Sequence, residues 1–211
     1  ILAGSVFSAP DSAEAVRWFR KAAESGYAPA QWNLSRHLQL GEGVQRNLSE
    51  SVEWVKRAAD QDIAAAQNRL GVCYSEGIDV KTDEVQAVSW FRKASEGGLA
   101  EGRYNLALRL RTGRGGAEQD TNLARELAQK AAEQGLMDAQ YLLGQMCEAG
   151  EGAEADEEMA THFYRQAADQ GHVEAQNILG QRLVDGIGTP PDTVEALQWF
   201  ALAAESGCVP A

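Results

Sequence analysis

The chain is poor in the residue types that build disulfide frameworks and metal sites. Its 211 residues include three cysteines and three histidines, with no Cys-x-x-Cys pair or Cys/His cluster that would indicate zinc. An odd and sparse set of cysteines does not form a disulfide framework. Cys73 and Cys147 lie in segments with apolar periodicity, so we predict that they are small, buried hydrophobic residues.

Basic residues and long apolar runs are also scarce. The chain has 19 Lys and Arg residues against 31 Asp and Glu residues, a net charge of −12. Nucleic-acid phosphates and anionic membrane surfaces repel such a chain, and no apolar stretch approaches the ~20 residues that span a bilayer. We therefore expect neither nucleic-acid binding nor membrane insertion, and we favour a basic or neutral protein or peptide as the partner.

The sequence also lacks the short motifs of common enzyme classes. There is no Gly-x-Ser-x-Gly, no P-loop, no Gly-x-Gly-x-x-Gly and no His-Glu-x-x-His. His37, His162 and His172 are scattered, and each is expected to be an ordinary surface or packing residue. The prediction is a protein that is not an enzyme and has no cofactor, metal or catalytic residue.

What the sequence has instead is an internal repeat. Trp18, Trp54 and Trp90 are spaced by 36 residues, and Trp199 follows Trp90 after 109 residues, which is three periods plus one residue. The extra residue is placed in segment 113–116, where the other repeats have a shorter loop. Such a period is typical of helical solenoids, whose repeats cannot bury their apolar stripes alone.

Each repeat is predicted to contain two helices, A and B. Helix A begins with a small residue and ends at a glycine; its predicted starts are Ala30, Ala66, Gly102, Ala139 and Ala175. Helix B follows a short polar residue that can cap its first-turn amides. The predicted caps are Asp11, Asn47, Asp83, Asp120, Asp156 and Asp192.

Helix B carries two further expectations. The Trp-Phe pairs of three copies and the row of tryptophans are expected in the core, beside alanines that let the helix axes approach closely. Glycines end helix B, except that Asp62 takes the place of the glycine in the second turn. If that turn is left-handed, a non-glycine residue there costs about 1 kcal/mol.

The predicted fold is all-α: a right-handed α-α superhelix, or solenoid, of 36-residue helix-turn-helix repeats. One partial repeat covers residues 1–29, and the full repeats cover 30–65, 66–101, 102–138, 139–174 and 175–210.

Two motifs recur along these repeats. Ala-x-x-x-Leu-Gly-x-x-Tyr-x-x-Gly runs from Ala66 to Gly77, and Asp-x-x-x-Ala-x-x-Trp-Phe-x-x-Ala-Ala-x-x-Gly runs from Asp11 to Gly26. Both resemble the Sel-one-like repeat (SLR) family, a relative of the tetratricopeptide repeats, over almost the whole chain. The resemblance implies a protein-binding scaffold or adaptor. The alanine-rich copies look bacterial, which favours the periplasm or envelope, with the cytoplasm as the alternative.

The resemblance leaves two other functions open. One is an envelope-located inhibitor, such as an immunity protein that blocks a toxin or enzyme. The other is the interaction arm of a larger enzyme or regulator, whose catalytic site would lie in another segment.

The geometry of helix A predicts where a partner binds. Successive residues are 100° apart, and in related solenoids the side of helix A away from the core lines the concave surface. Aromatic, amide and arginine side chains on that side are typical of interfaces. The predicted partner-binding residues are Trp32, Asn33, Arg36, Asn68, Arg69, Tyr104, Leu108, Arg111, Tyr141, Gln145, Asn177 and Gln181.

An acidic cluster falls between helices A and B of the fourth repeat. It has two interpretations: a solvated loop whose acids favour the next helix N-terminus, or a dock for a basic partner. Its members are Glu148, Glu151, Glu154, Asp156, Glu157 and Glu158.

The register of the repeats predicts that the chain is a piece of a longer solenoid. Residues 1–2 align with the end of a helix A, and Ala211 aligns with the start of a sixth repeat. Terminal repeats normally present a polar outer face, whereas the last helix B keeps Leu197 and Trp199. We expect an exposed apolar patch and self-association there. A rival interpretation takes residues 1–5 as the remnant of an export signal.

Overall fold

The computed structural model describes residues 12–207, which form eleven α-helices and no strand. They are α1 (Ser12–Glu24), α2 (Ala28–Leu40), α3 (Leu48–Ala59), α4 (Ala64–Glu76), α5 (Glu84–Glu96), α6 (Ala100–Thr112), α7 (Thr121–Glu133), α8 (Met137–Ala149), α9 (Glu157–Asp169), α10 (Val173–Asp185) and α11 (Thr193–Glu205). The predicted cap Asp11 and the predicted alignments of residues 1–5 and Ala211 lie outside the described residues.

The chain divides into two compact units, residues 1–97 and 98–211, and the described helices are α1–α5 in unit 1 and α6–α11 in unit 2. Within each unit, every helix packs against the next one along the chain. Even-numbered helices are the A helices and odd-numbered helices are the B helices. The all-α helix-turn-helix repeat is therefore confirmed in both units. Across residues 12–207, no helix combines the length and apolarity needed to cross a membrane.

The helix ends follow the chemistry of the sequence. The five predicted caps in the described residues each accept a hydrogen bond from the backbone N–H three residues later, at 2.9–3.1 Å. Left-handed glycines end the A helices. The A helices begin two residues before the predicted small residues. The loop at 113–120 is one residue longer than the loop at 41–47, which confirms the position of the extra residue.

A close contact between a ring and a glycine holds helix A against helix B. A Cβ atom added at Gly71 would lie 2.6 Å from the ring of Phe91, which is fully buried. The contact recurs, at 2.6 and 2.7 Å, in the pairs Gly144–Tyr164 and Gly180–Phe200. Two repeats have no ring at this position, and the same two positions are Ala107 and Ala128 in one and Ser35 and Val55 in the other, all of them buried. A glycine on helix A therefore faces a ring on helix B, and a larger residue on helix A faces a smaller side chain on helix B.

The prediction that the tryptophans form a core row is wrong for Trp18. Trp54 is buried, and Trp90 and Trp199 are partly buried against hydrophobic clusters, but Trp18 is 62% exposed. Adjacent helical residues point 100° apart, so only one member of a Trp-Phe pair can face helix A. That member is the second one, as the fully buried Phe91 shows.

The expectation for the cysteines is confirmed within the described residues. Cys73 and Cys147 are buried and free. Burial raises the pKa of both thiols, so they stay neutral near neutral pH. Arg125 Nη2 also donates a hydrogen bond to the sulfur of Cys147, at 3.1 Å.

Two junctions between successive B helices share a link of three side chains, Arg, Glu and Trp, whereas the α3–α5 junction has Lys56, Gln86 and Trp90 at the same positions. In unit 1, Arg20 on α1 binds Glu50 on α3, whose carboxylate also accepts from the Trp54 indole at 3.3 Å. In unit 2, the link is formed by Arg165, Glu195 and Trp199. The hydrogen bond from the arginine is the main reason why the pKa of each glutamate is lowered.

The turn at Asp62 is left-handed, with φ of 60°. We predict that Asp62→Gly relieves a strain of about 1 kcal/mol but loses the hydrogen bond from Gln67 Nε2 to Asp62 Oδ1, 3.1 Å long. The net effect is a rise in Tm of about 2 °C, measured by thermal unfolding. Asp62→Asn keeps an acceptor and should give a rise as well. Unchanged Tm values in both variants would show that the left-handed backbone at Asp62 is not strained.

The ring-glycine contact predicts a sign reversal. Gly71→Ala should destabilise the protein by about 1–3 kcal/mol, because the added methyl group meets the Phe91 ring. In a Phe91→Ala background, the same change should be neutral or stabilising by up to about 1 kcal/mol, since alanine favours helix and no ring remains. A double-mutant cycle by urea denaturation measures both effects. Equal effects in the two backgrounds would show that the contact is not tight.

Candidate functional site

The twelve predicted binding residues, here called the A-helix face, are divided between the two units. Those in unit 1 are Trp32, Asn33, Arg36, Asn68 and Arg69, and those in unit 2 are Tyr104, Leu108, Arg111, Tyr141, Gln145, Asn177 and Gln181. Arg36 and Gln181 are exposed and the others are partly buried. The helical periodicity therefore selected positions at the boundary between core and solvent.

Trp32 is more embedded than an isolated surface anchor. Its side chain packs against the hydrophobic cluster of α3 and α4, which includes Val55 and Leu70. The indole thus joins its own repeat to the following one. Truncating Trp32 would loosen this packing, so it is a poor choice for separating binding from stability.

In unit 2, aromatic side chains form a row along the A helices. Tyr141 on α8 stacks on the ring of His172, with centroids 4.2 Å apart, and lies 5.8 Å from the ring of Tyr164. Tyr104 on α6 is partly buried, and burial, followed by the charge of Asp138, raises the pKa of its phenol. His172 also caps α10 by accepting from the Ala175 amide, at 3.3 Å.

His172 and Asp138 were not among the predicted site residues. His172 lies at the cap position before α10, outside the helical positions from which the A-helix face was predicted. The sequence did hold a signal, because the position before each A helix recurs with the repeat and always has a large side chain. The residues there are Tyr27, Ile63, Leu99, Leu136 and His172. Tyr104, Tyr141 and His172, with Asp138 beside them, are here called the aromatic row.

Three polar residues of the A-helix face in unit 2 have hydrogen-bond partners within the protein. Arg111 donates to Glu151 with Nε at 2.5 Å and Nη2 at 3.0 Å, and its Nη1 donates to the Gln145 side chain at 3.2 Å. Gln181 donates to Asp185 at 2.8 Å. Because planar two-point Arg–carboxylate contacts are specific in geometry, Arg111 and Gln145 are held in place.

Three of the six acids in the cluster pair with arginines of the same unit. Arg182, which is 4% exposed, donates Nη1 to Glu148 Oε1 at 2.9 Å and Nη2 to the side chain of Glu157. Its Nε donates to Thr161 Oγ1 at 2.8 Å. The other Glu148 oxygen accepts from the Tyr164 hydroxyl at 2.7 Å. Burial, then this hydrogen bond, raises the pKa of Tyr164.

The remaining acids of the cluster have mixed roles. Glu151 pairs with Arg111, and Asp156 caps α9. Glu154 and Glu158 are exposed to solvent. The buried Arg182 therefore orders part of the acidic cluster, which the sequence alone allowed to be either a solvated loop or a dock for a basic partner. Among residues 12–207, no His, Cys, Asp and Glu side chains are arranged to hold a metal ion.

The family model of the Sel1 repeat matches the chain at residues 2–27, 28–63, 64–99, 100–136, 138–172 and 173–208. The last five matches begin one or two residues before the starts of the full repeats predicted from the sequence. A comparison with curated proteins finds no match.

Several solved structures are similar to this chain. The antigen c5321, described as protective and present in uropathogenic Escherichia coli strains, displays an SLR fold and has 36% identity with a TM-score of 0.85. It covers 95% of this chain, which spans 43% of its length. A Sel1 repeat protein from Oxalobacter formigenes has 33% identity and a TM-score of 0.84, with coverage of 93% and 80%.

More distant similarity extends to the immunity protein Pa5087 from Pseudomonas aeruginosa. It has 20% identity and a TM-score of 0.56, with coverage of 96% of this chain and 77% of its own, which supports the fold alone. The helical-repeat solenoid class is confirmed by these structures. The organisms are all bacteria, consistent with a bacterial origin.

The buried arginine makes a stability prediction. Arg182→Ala should destabilise the protein by about 2 kcal/mol or more, because it leaves a cavity and removes four hydrogen bonds. Arg182→Met should cost at most half as much, since Met146 fills the equivalent position of the preceding repeat and is fully buried. Urea denaturation measures both. Equal losses would show that the charge network itself stabilises the fold.

Proposed function

The chain belongs to the Sel1 repeat family, and from this premise we propose that it is a non-catalytic scaffold whose partner protein binds the A-helix face. Proteins of this family generally act as protein-interaction scaffolds. The observation that carries the assignment of the site is the partly exposed aromatic row of unit 2. Aromatic and arginine side chains dominate interface energies because they bury large areas with little loss of conformational freedom.

The aromatic row is favoured over unit 1 as the centre of binding. Arg111 and Gln145 beside it are already ordered by Glu151, so a partner that meets them loses little additional entropy. Tyr104 and Tyr141 keep part of their rings accessible, and their hydroxyl groups can hydrogen-bond at the edge of an interface. A peptide or loop with apolar side chains and backbone carbonyls suits this combination.

The charge of the molecule bears on the class of partner. The net charge is −12. It stays negative although four acids of the fourth-repeat cluster make contacts within the protein. A basic or neutral partner is therefore favoured by the long-range field, which affects association rate more than affinity.

Two other functions are compatible with this family. An inhibitor of a toxin or enzyme is the second candidate, because the structural relatives include an immunity protein. The interaction arm of a larger enzyme or regulator is the third, and the E. coli antigen shows that this fold occurs in a much longer chain. Identification of the bound partner distinguishes all three.

We predict that Tyr104→Ala/Tyr141→Ala weakens binding of the partner by roughly 30-fold, since hot-spot aromatics typically cost ~2 kcal/mol or more on truncation. The partner is first captured with the wild-type protein from a lysate of the native host and identified by mass spectrometry. Its Kd for each variant is then measured by calorimetry with purified proteins, and circular dichroism checks helicity.

The matched control is Tyr27→Ala, because Tyr27 is 61% exposed and lies outside the A-helix face. It should leave the Kd unchanged. Undiminished binding by a folded Tyr104→Ala/Tyr141→Ala protein would place the site elsewhere on the molecule.

A further inference from the structure

The junction between α7 and α9 differs from the α9–α11 junction of the same unit. Where α9 and α11 are linked by Arg165, Glu195 and Trp199, the equivalent residues at the α7–α9 junction are Gln129, Met159 and Phe163. Both charged members of the link have been replaced by uncharged side chains. The α7–α9 junction is therefore held together without the Arg–Glu–Trp link.

A second charged group is missing at the same place. In three repeats of unit 1, a Lys or Arg lies over the Trp ring of helix B, 4.0–4.8 Å from its centroid. The equivalent residue on α9 is Gln166, next to Phe163. Gln166 instead contacts the His162 ring, with Nε2 atoms 3.1 Å apart. Within residues 12–207, no Lys or Arg lies over the Phe163 ring.

The α7–α9 junction, which lacks both the link and the cation, contains an open groove of about 500 Å³. Its apolar lining comes from Ala132, Met159 and Phe163, and Met159 is 41% exposed. The amides of Gln129 and Gln166 stand at its sides. The volume is in the range of natural binding pockets, which combine apolar walls with a few polar groups.

The groove has one carboxylate among its lining residues, and His162 is the lining side chain that can gain a proton. Among the described residues that line it, Glu133 is the carboxylate and there is no Lys or Arg. Its Oε1 accepts from Gln129 Nε2 at 3.0 Å, which orients the carboxylate beside the opening. The net charge of −12 adds to this negative field.

We propose that the groove between α7 and α9 binds a partner protein through an apolar side chain, Leu, Met or Phe, that has a Lys or Arg next to it. The apolar residue fills the space between Met159 and Phe163, and the neighbouring cation pairs with Glu133. This surface is formed mainly by the B helices α7 and α9, with Gln140 of α8 at its base, so it is a second interaction surface, distinct from the aromatic row on the A helices. A scaffold with both surfaces can hold two partners at once.

The test restores the missing link. In Gln129→Arg/Met159→Glu, the groove receives the side chains that join α9 to α11. A displayed library of random dodecapeptides is selected on the wild-type protein, and the Kd of each recovered peptide is measured by fluorescence anisotropy. We expect peptides that carry Leu, Met or Phe beside Lys or Arg and that bind the restored variant at least ~10-fold more weakly.

The matched control makes the same kind of change at another junction. Lys56→Arg/Gln86→Glu introduces these side chains between α3 and α5, and it should leave the Kd of the peptides unchanged. Tyr104→Ala/Tyr141→Ala should leave it unchanged as well, which separates this proposal from the aromatic row. Thermal unfolding checks that each variant is folded.

A second variant keeps the test decisive if the restored link perturbs folding. Glu133→Gln should weaken peptides that contain the basic residue by roughly 3-fold or more, and should leave the same peptides with norleucine in place of Lys or Arg unaffected. The proposal is overturned if no such peptide is recovered, if the recovered peptides lack the basic neighbour, or if they bind the restored variant as well as the wild-type protein.

Discussion

The contact between a ring on helix B and a glycine on helix A sets the distance between the two helices of a repeat, and the stacking of repeats depends on that distance. At Gly71, Gly144 and Gly180 a methyl group would overlap the facing ring. In the two repeats where the ring is absent, the same space is filled by Ala107 with Ala128 and by Ser35 with Val55. Close-packed interiors tolerate little change in volume, so the two positions must vary together if every repeat is to present the same surface to its neighbour.

Contacts between repeats are more variable, and this variation distinguishes one surface from another. The Arg–Glu–Trp link closes the junction of α1 with α3 and that of α9 with α11. At the α7–α9 junction, Gln129 and Met159 leave a groove. The backbone repeat survives this change because the ring-glycine and alanine contacts inside each repeat carry the packing, so side chains at the junction are free to serve binding.

Several charged residues stabilise the contacts between repeats. A buried arginine, Arg182, binds two acids that the sequence placed in a conspicuous cluster, and Arg111 binds a third. Buried charges are tolerated when paired and hydrogen-bonded. These carboxylates therefore maintain the repeat boundary, while the partly exposed Tyr104 and Tyr141 remain accessible for a partner.

The sequence by itself determined the period, the two helices of each repeat, the caps and the left-handed turns. These features depend on backbone chemistry within one repeat, as at Asn47 and Asp62. The A-helix positions followed from helical geometry. Only the tertiary structure decided which neighbours a side chain meets. Trp18 and Trp54 occupy the same place in the repeat, yet one is exposed and the other buried. Arg182 reaches glutamates 34 and 25 residues away, because such contacts arise only when repeats stack.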